Sequence, residues 1–146
     1  MKPQYEFGEF VATTDAAWFD EDLIHRVLSA SYWAEGIPRE VVARSIRNSL
    51  CFGVFEGAKQ VGFTRVISDY ATFAYLADVF IIESHRGRGL AKFLMECIFQ
   101  HPELQRLRRW TLVTRDAHGL YAQFGFKPLA RPERFMELQT LDVYKT

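Results

Sequence analysis

The chain has 146 residues, of which 49% are hydrophobic and 25% are charged, and its 18 basic residues balance 18 acidic ones. This length and apolar content suffice for one buried core, and we predict a single domain over residues 1–146. The composition excludes a disordered chain and a disulfide scaffold, and the zero formal net charge argues against a general nucleic-acid or membrane-surface binder.

The first third of the chain predicts one strand and two helices. Residues 5–12 have the composition of a strand. Acidic residues at 20–22 favour the start of a helix, because the helix dipole stabilises negative charge there, and the apolar spacing extends this helix to about Tyr32. Pro38 suits the first position of a second helix, whose buried face continues to Leu50.

The hydrophobic pattern then changes to that of strands. Residues 51–55 and 61–67 flank a short polar turn and predict a hairpin. A third strand follows over residues 72–82, which completes an antiparallel meander. Residues 90–99 carry a helical apolar stripe that stops before Pro102.

The last third predicts a short central strand over residues 110–113, a short helix over residues 117–124 and a closing strand over residues 136–141. The strand–helix–strand crossover over residues 76–113 implies local parallel pairing beside the meander. The predicted fold class is therefore α/β, a mostly antiparallel mixed sheet with one parallel crossover and helices on both faces.

The turn between the third meander strand and the following helix is the most informative segment. Gly87 and Gly89 lack a Cβ atom, so backbone N–H groups can approach an anion closely. The unpaired N–H groups of the next helical turn and the helix dipole favour the same anion. Arg86, Arg88 and Lys92 add formal positive charge. The segment predicts a diphosphate site, although it matches neither a P-loop nor a Rossmann fingerprint, and a mere tight connection is the alternative.

Two sequence blocks carry a family resemblance. The run from Arg86 to Ala91 resembles the Gln/Arg-x-x-Gly-x-Gly/Ala motif of the GNAT family of N-acetyltransferases. The second block, residues 116–126 with Tyr121 in its middle, resembles the later Ala-x-x-x-Tyr-x-x-x-Gly-Phe pattern of that family. Their order, their separation and the predicted elements from about residue 51 onward are similar to those of the family, which implies a GNAT-like fold.

The resemblance implies that acetyl-CoA is the co-substrate and assigns its contacts. The backbone of Val79, Phe80 and Ile81 would receive the pantetheine arm, much as a peptide adds to a sheet edge. Thr114 stands where the family often has Asn and is the expected further coenzyme contact. The diphosphate would lie against seven consecutive residues: Arg86, Gly87, Arg88, Gly89, Leu90, Ala91 and Lys92.

The resemblance also assigns catalytic roles. Tyr121 occupies the general-acid position, and a phenol is protonated at neutral pH, as a proton donor to the departing thiolate must be. Asp78 is the expected general base or the anchor of a water chain, and Glu83 and His118 are alternatives. Asp116 is expected to cap the helix that carries Tyr121.

The acceptor side rests on a smaller set of residues. In similar proteins the connection between the first two helices shapes the acceptor pocket, and here it contains Tyr32, Trp33 and Glu35. Aromatic rings and a carboxylate suit a cationic amine, through cation–π and charge contacts. The alternative is that the two rings complete the packing of the helices.

The predicted function is transfer of an acetyl group from acetyl-CoA to a primary amine of a small molecule, by direct transfer through a tetrahedral intermediate. Acetylation of a peptide or protein amine, an idle acyl-CoA sensor and an unrelated nucleotide-phosphate binder are the alternatives. Cys51 and Cys97 lie in apolar runs, which disfavours a covalent route and a metal site. We expect a cytoplasmic protein without membrane or nucleic-acid partners, and a homodimer is common among similar proteins.

Overall fold

The computed structural model describes residues 2–145, which form two compact units, residues 2–113 and residues 114–145. The elements of the first unit are, in chain order, β1 (Gln4–Phe7), β2 (Phe10–Thr13), α1 (Glu21–Ser29), α2 (Arg39–Arg47), β3 (Leu50–Glu56), β4 (Lys59–Ser68), β5 (Phe73–Ile81), α3 (Leu90–Gln100) and β6 (Arg109–Leu112). The second unit contains helix α4 (His118–Ala122). The single domain over residues 1–146 stays a prediction.

The six strands of the first unit form one sheet in the order β1 to β6. All neighbouring pairs are antiparallel except β5 and β6, which are parallel. Two parallel strands need a long crossover, and α3 lies in the chain between them. The mixed α/β class with an antiparallel meander and one parallel crossover is therefore confirmed.

Two neighbouring residues of β3 place the helices on opposite faces of the sheet. The ring of Phe52 packs edge-on against His101, the residue that ends α3, with ring centroids 5.6 Å apart. A Cβ atom on Gly53 would lie 3.0 Å from the ring of Phe19, which precedes α1. Because successive strand residues point to opposite faces, α3 and the start of α1 cover different sides of the sheet.

The N-terminal predictions are partly wrong. Residues 5–12 form a hairpin, β1 and β2, and not one strand, because Gly8 has a φ of 60° and reverses the chain. Helix α1 ends at Ser29 and so does not reach Tyr32. Pro38 is the N-cap of α2, one position before the predicted place, and Leu50 begins β3 instead of extending the helix.

The prediction of a closing strand over residues 136–141 is wrong. This segment contains no strand in the structure, and the side chains of Met136 and Leu138 are 97% and 101% exposed. The prediction of a central strand at 110–113 is wrong for a related reason. A central position would require a strand on each side of β6. Because residues 136–141 form no strand, β6 lies at the end of the six-stranded order.

The cap of α4 also differs from the prediction. Its N-cap residue is Ala117, and no side-chain hydrogen bond caps the helix at this position. Asp116 is therefore not the cap. Instead, the N–H of Ala117 donates to Oγ1 of Thr114 at 3.1 Å, so a hydroxyl three residues before Ala117 orders this turn.

None of the helices within residues 2–145 is both long enough and apolar enough to cross a bilayer. Across the same residues, no group of three or more His, Cys, Asp or Glu side chains has the arrangement of a metal site. The expected cytoplasmic location stays a prediction.

Candidate functional site

The second half of β5 has a free edge within residues 2–113. The parallel pairing with β6 covers only Phe73–Leu76 of β5, and no strand of this unit pairs with that edge over residues 77–81. Apart from the carbonyl of Ile81, which accepts from the Arg86 side chain, no strand of this unit occupies the backbone groups on this edge, and they can pair with an extended ligand. Val79, Phe80 and Ile81, which the sequence assigned to the pantetheine arm, lie along it.

The chain leaves β5 through a short turn and enters α3 at a glycine pair. Gly87 and Gly89 have φ values of 78° and 79°, a region that favours glycine, and Gly89 is the N-cap of α3. No side chain caps the first turn of α3. A Cβ atom at Gly87 would meet no atom within 4 Å. The start of α3 therefore has no side-chain cap and has open space beside Gly87, which fits an anion at a helix N-terminus.

Three cationic side chains surround this loop. Arg86, Arg88 and Lys92 are exposed, and we find none of them in an ion pair among residues 2–145. Nε of Arg86 donates to the carbonyl of Ile81 at 3.0 Å, so this side chain also fixes the end of β5. Positive charge without an ion-pair partner, beside an uncapped helix start, is suited to a diphosphate.

An aromatic side chain from the N-terminal hairpin packs against the glycine loop, and the sequence analysis did not identify this residue. The ring of Phe7 lies 3.7 Å from the position of a Cβ atom on Gly89. It stacks on Phe93 of α3 with centroids 5.3 Å apart and an interplanar angle of 25°. Phe7 is 44% exposed and about 80 residues from the loop in sequence, so no local pattern could identify it.

A network of side chains lies at the start of the free edge of β5. Asp78 has a φ of 56°, uncommon for a residue with a side chain, at an irregular point in the β4–β5 register. Its Oδ1 accepts from Nε1 of Trp33 at 2.8 Å, and its Oδ2 accepts from Nε of Arg65 at 2.8 Å. Arg65 also donates to Oγ of Ser49 at 3.1 Å. The predicted base and one predicted acceptor residue are thus in direct contact.

Aromatic rings flank this network. The rings of Tyr32 and Trp33 meet edge to face at 5.1 Å and are 50% and 44% exposed, whereas Glu35 is exposed nearby in sequence. Burial raises the pKa of Tyr75, and the Asp78 carboxylate raises it further. The phenol of Tyr75 is therefore neutral at physiological pH and lies within electrostatic range of Asp78. Aromatic faces beside a carboxylate can receive a cationic amine.

The two alternative bases lie outside this network. Glu83 is exposed in the short turn after β5 and lines a cleft of about 420 Å³ together with Arg26, Lys59 and Arg86. His118 is exposed at the first position of α4. Among the hydrogen bonds within residues 2–113, Asp78 and Trp33 have none to Glu83, and His118 belongs to the second unit.

Tyr121 belongs to the second unit. It lies on α4, is 7% exposed and meets the ring of Phe126 edge to face at 6.0 Å. The N–H of Phe126 donates to its carbonyl at 3.3 Å. The turn before this helix contains Thr114, whose hydroxyl accepts from Ala117. The two residues that the sequence assigned here, Tyr121 and Thr114, thus share one short ordered segment.

The cysteines are unsuited to nucleophilic chemistry. Burial raises the pKa of the Cys51 thiol to about 12, and the same cause raises the pKa of Cys97 to about 12. Both side chains are free and buried. A thiol of this pKa holds its proton at physiological pH, and the thiolate is the nucleophile, so neither cysteine favours a covalent route.

Two comparisons of the sequence identify related proteins. The acetyltransferase (GNAT) domain family matches residues 47–128. A curated protein of Gibberella zeae, named for an inferred acetyltransferase activity, is 31% identical to this chain over an alignment of 146 positions, which covers 84% of this chain and 81% of that protein.

Comparisons of the structure give the same fold. A crystal structure of a Xanthomonas campestris pv. campestris protein assigned to the GNAT family has a TM-score of 0.93 and 51% sequence identity, and the match covers 97% of this chain and all of that one. A crystal structure from Clostridium acetobutylicum, which contains acetyl-CoA, has a TM-score of 0.65 at 15% identity and covers 89% of this chain and 94% of the other. At that identity the second match shows the fold alone.

Proposed function

Since this chain belongs to the GNAT family of acetyltransferases, we propose that it transfers the acetyl group of acetyl-CoA to a primary amine of a small molecule. The observation that carries the proposal is the glycine loop before α3. Gly87 has open space beside it, no side chain caps the helix, and three cations surround the loop without ion pairs in the part of the chain that the structure describes.

The residues present fit coenzyme A on this chain's own geometry. The free edge of β5 over residues 77–81 leads directly into the loop, so an extended arm and a diphosphate can be bound in sequence along one path. A Cβ atom at Gly87 would lie in open space, with no atom within 4 Å, so there is room beside the loop for a ligand. The acetyl-CoA in the Clostridium acetobutylicum structure supports the same ligand here.

Chemically, the proposed reaction forms one C–N bond and breaks one C–S bond. The neutral amine attacks the thioester carbonyl, and the carbonyl oxygen becomes an oxyanion in a tetrahedral intermediate. A backbone N–H on the free edge near Phe80 or Ile81 would stabilise that oxygen, a contribution worth about 10²–10³ in rate for similar donors. The departing thiolate then takes a proton from the phenol of Tyr121.

Asp78 would act on the amine side. Both of its oxygens already accept a hydrogen bond, from Trp33 and from Arg65, and each carboxylate oxygen retains a further lone pair. This supports a role as anchor of a water chain that removes the amine proton. Trp33 and Tyr32 would bind the acceptor through their exposed ring faces, with Glu35 as a charge partner.

The decisive experiment measures thiol release from acetyl-CoA by the purified protein with a panel of small primary amines and with peptides that have a free N-terminus. Amine-dependent release together with an N-acetylated product detected by mass spectrometry is the expected result. Preference for the peptides would change the acceptor class. Tight binding of acetyl-CoA without release in any mixture would contradict the enzyme and favour an acyl-CoA sensor.

A second measurement tests the ligand itself. Coenzyme A should raise the melting temperature in a concentration-dependent way, because a ligand that binds only the folded protein stabilises it. ATP and NAD serve as matched diphosphate controls. Stabilisation by these nucleotides but not by coenzyme A would contradict the assignment.

A further inference from the structure

A buried histidine directly precedes the glycine loop, and the proposed mechanism does not use it. His85 is 6% exposed. Its Nε2 lies 3.0 Å from Oε1 of Glu56, and its Nδ1 lies 2.8 Å from Oγ of Ser84. Its ring packs edge-on against Phe10, with centroids 6.1 Å apart and an interplanar angle of 81°. The segment that becomes the loop is thus held by the body of the sheet.

The two strands that hold His85 are neighbours. Phe10 of β2 and Glu56 of β3 are direct cross-strand partners, so one supplies the packing surface and the other supplies the hydrogen bond. The β1–β2 hairpin, which contains Phe10, also contacts the far end of the loop, where Phe7 of β1 lies against Gly89. Both ends of the loop therefore rest on residues from the first 56 positions, most of which lie outside the matched family region.

The hydrogen bonds determine which nitrogen of His85 carries the proton. An ionised carboxylate only accepts hydrogen bonds, so Nε2–H of His85 donates to Glu56, and in the neutral ring Nδ1 accepts from the hydroxyl of Ser84. The bond from His85 lowers the pKa of Glu56 below its ordinary value. Both ring nitrogens have partners, as a buried imidazole requires.

We propose that His85 and Glu56 are positioning residues that hold the glycine loop in its anion-binding conformation before the coenzyme arrives. This inference rests on the proposed function. Ordering a loop costs conformational entropy, and a loop that is ordered in advance does not incur that cost on binding. Loss of the His85–Glu56 bond should therefore weaken the binding of the diphosphate, although neither side chain needs to touch it.

The first experiment compares two buried histidines at opposite ends of α3. His101 is 2% exposed, accepts from the N–H of Glu103 at 3.1 Å and packs edge-on against Phe52, so its surroundings closely resemble those of His85. His85→Phe should raise the calorimetric Kd for coenzyme A about tenfold, which corresponds to about 1.4 kcal/mol. His101→Phe should change it less than twofold. Melting temperatures separate this effect from lost stability.

The second experiment uses Glu56, whose side chain is 35% exposed and whose replacement the fold should tolerate. Glu56→Gln and Glu56→Ala both remove the negative charge, but only Ala removes the acceptor for Nε2–H of His85. The Kd for coenzyme A should be about fivefold higher for Glu56→Ala than for Glu56→Gln, since a neutral hydrogen bond contributes about that factor. In ³¹P NMR, the diphosphate signals of bound coenzyme A should move towards the free position only in Glu56→Ala.

The outcomes are distinct. Equal Kd values for Glu56→Gln and Glu56→Ala, or equal effects of His85→Phe and His101→Phe, would overturn the positioning role and leave coenzyme binding intact. A wild-type protein that does not bind coenzyme A would overturn the proposed function instead.

Discussion

The network around Asp78 lies on β5 and the glycine loop follows the end of that strand, yet the two are built in different ways. The loop consists of consecutive residues, 86–92, and presents backbone amides. The network joins Trp33, Ser49, Arg65 and Asp78 and consists of side chains. A site made of backbone needs glycines at defined spacing and leaves a motif. A site made of distant side chains leaves none.

The largest expected effect tests the backbone part of this comparison. Gly89→Glu should raise the Kd for coenzyme A at least about 100-fold, because Gly89 has a φ of 79°, lies against Phe7 and would place a negative charge beside the amides. Isothermal titration calorimetry measures this. Gly57→Glu is the control for strain, since Gly57 in the β3–β4 turn has a φ of 60° and a Cβ atom there would meet no atom within 4 Å. Equal losses in both variants would show that strain alone is responsible.

The next effect concerns proton donation in the second unit. Tyr121→Phe should lower kcat about 100-fold, the lower end of the range for general acid catalysis, and leave the Kd for coenzyme A within twofold. Steady-state kinetics with saturating acetyl-CoA measure it. Tyr5→Phe, at a half-buried position of β1, is the matched control. An unchanged kcat would remove Tyr121 from proton transfer.

A smaller effect tests the side-chain network. Trp33→Phe keeps an aromatic ring but loses the donor to Asp78, so the KM for the amine should rise about tenfold while the Kd for coenzyme A is unaffected. Trp18→Phe is a close control, because Trp18 has the same 44% exposure and packs on Phe55 instead. A parallel rise in the Kd for coenzyme A would mean that the two regions are not separable.

The smallest expected effect concerns the pH dependence of stability at His101, which lies outside both the glycine loop and the network around Asp78. Burial lowers the pKa of His101 below its ordinary value near 6.5. As pH falls towards the ordinary histidine pKa, the unfolded state therefore binds more protons than the native state. The stability that neutral His101 contributes is lost as pH falls below about 6.5. His101→Phe should flatten the decline in unfolding free energy between pH 7.5 and 5.5, as measured by urea titration. A slope in His101→Phe equal to that of the wild-type protein would contradict the prediction.

Sequence reasoning placed the elements of the meander and α3 closely, because long apolar runs with a clear period leave few alternatives. It failed where a chain reversal or a partner decided the outcome. Gly8 reverses the chain within a run that otherwise has the composition of one strand, and so divides it into β1 and β2. Residues 136–141 have the apolar content of a strand, but a strand exists only through its hydrogen-bonded neighbour.

The sequence alone determined the glycine loop, the crossover and the family, because these depend on neighbours in the chain. Only the tertiary structure brought Phe7 to Gly89, Glu56 to His85, and Trp33 and Arg65 to Asp78. Those contacts join segments that are 13 to 82 residues apart, and sheet register decides them. Register follows from the pairing of whole strands, which no short stretch of sequence contains.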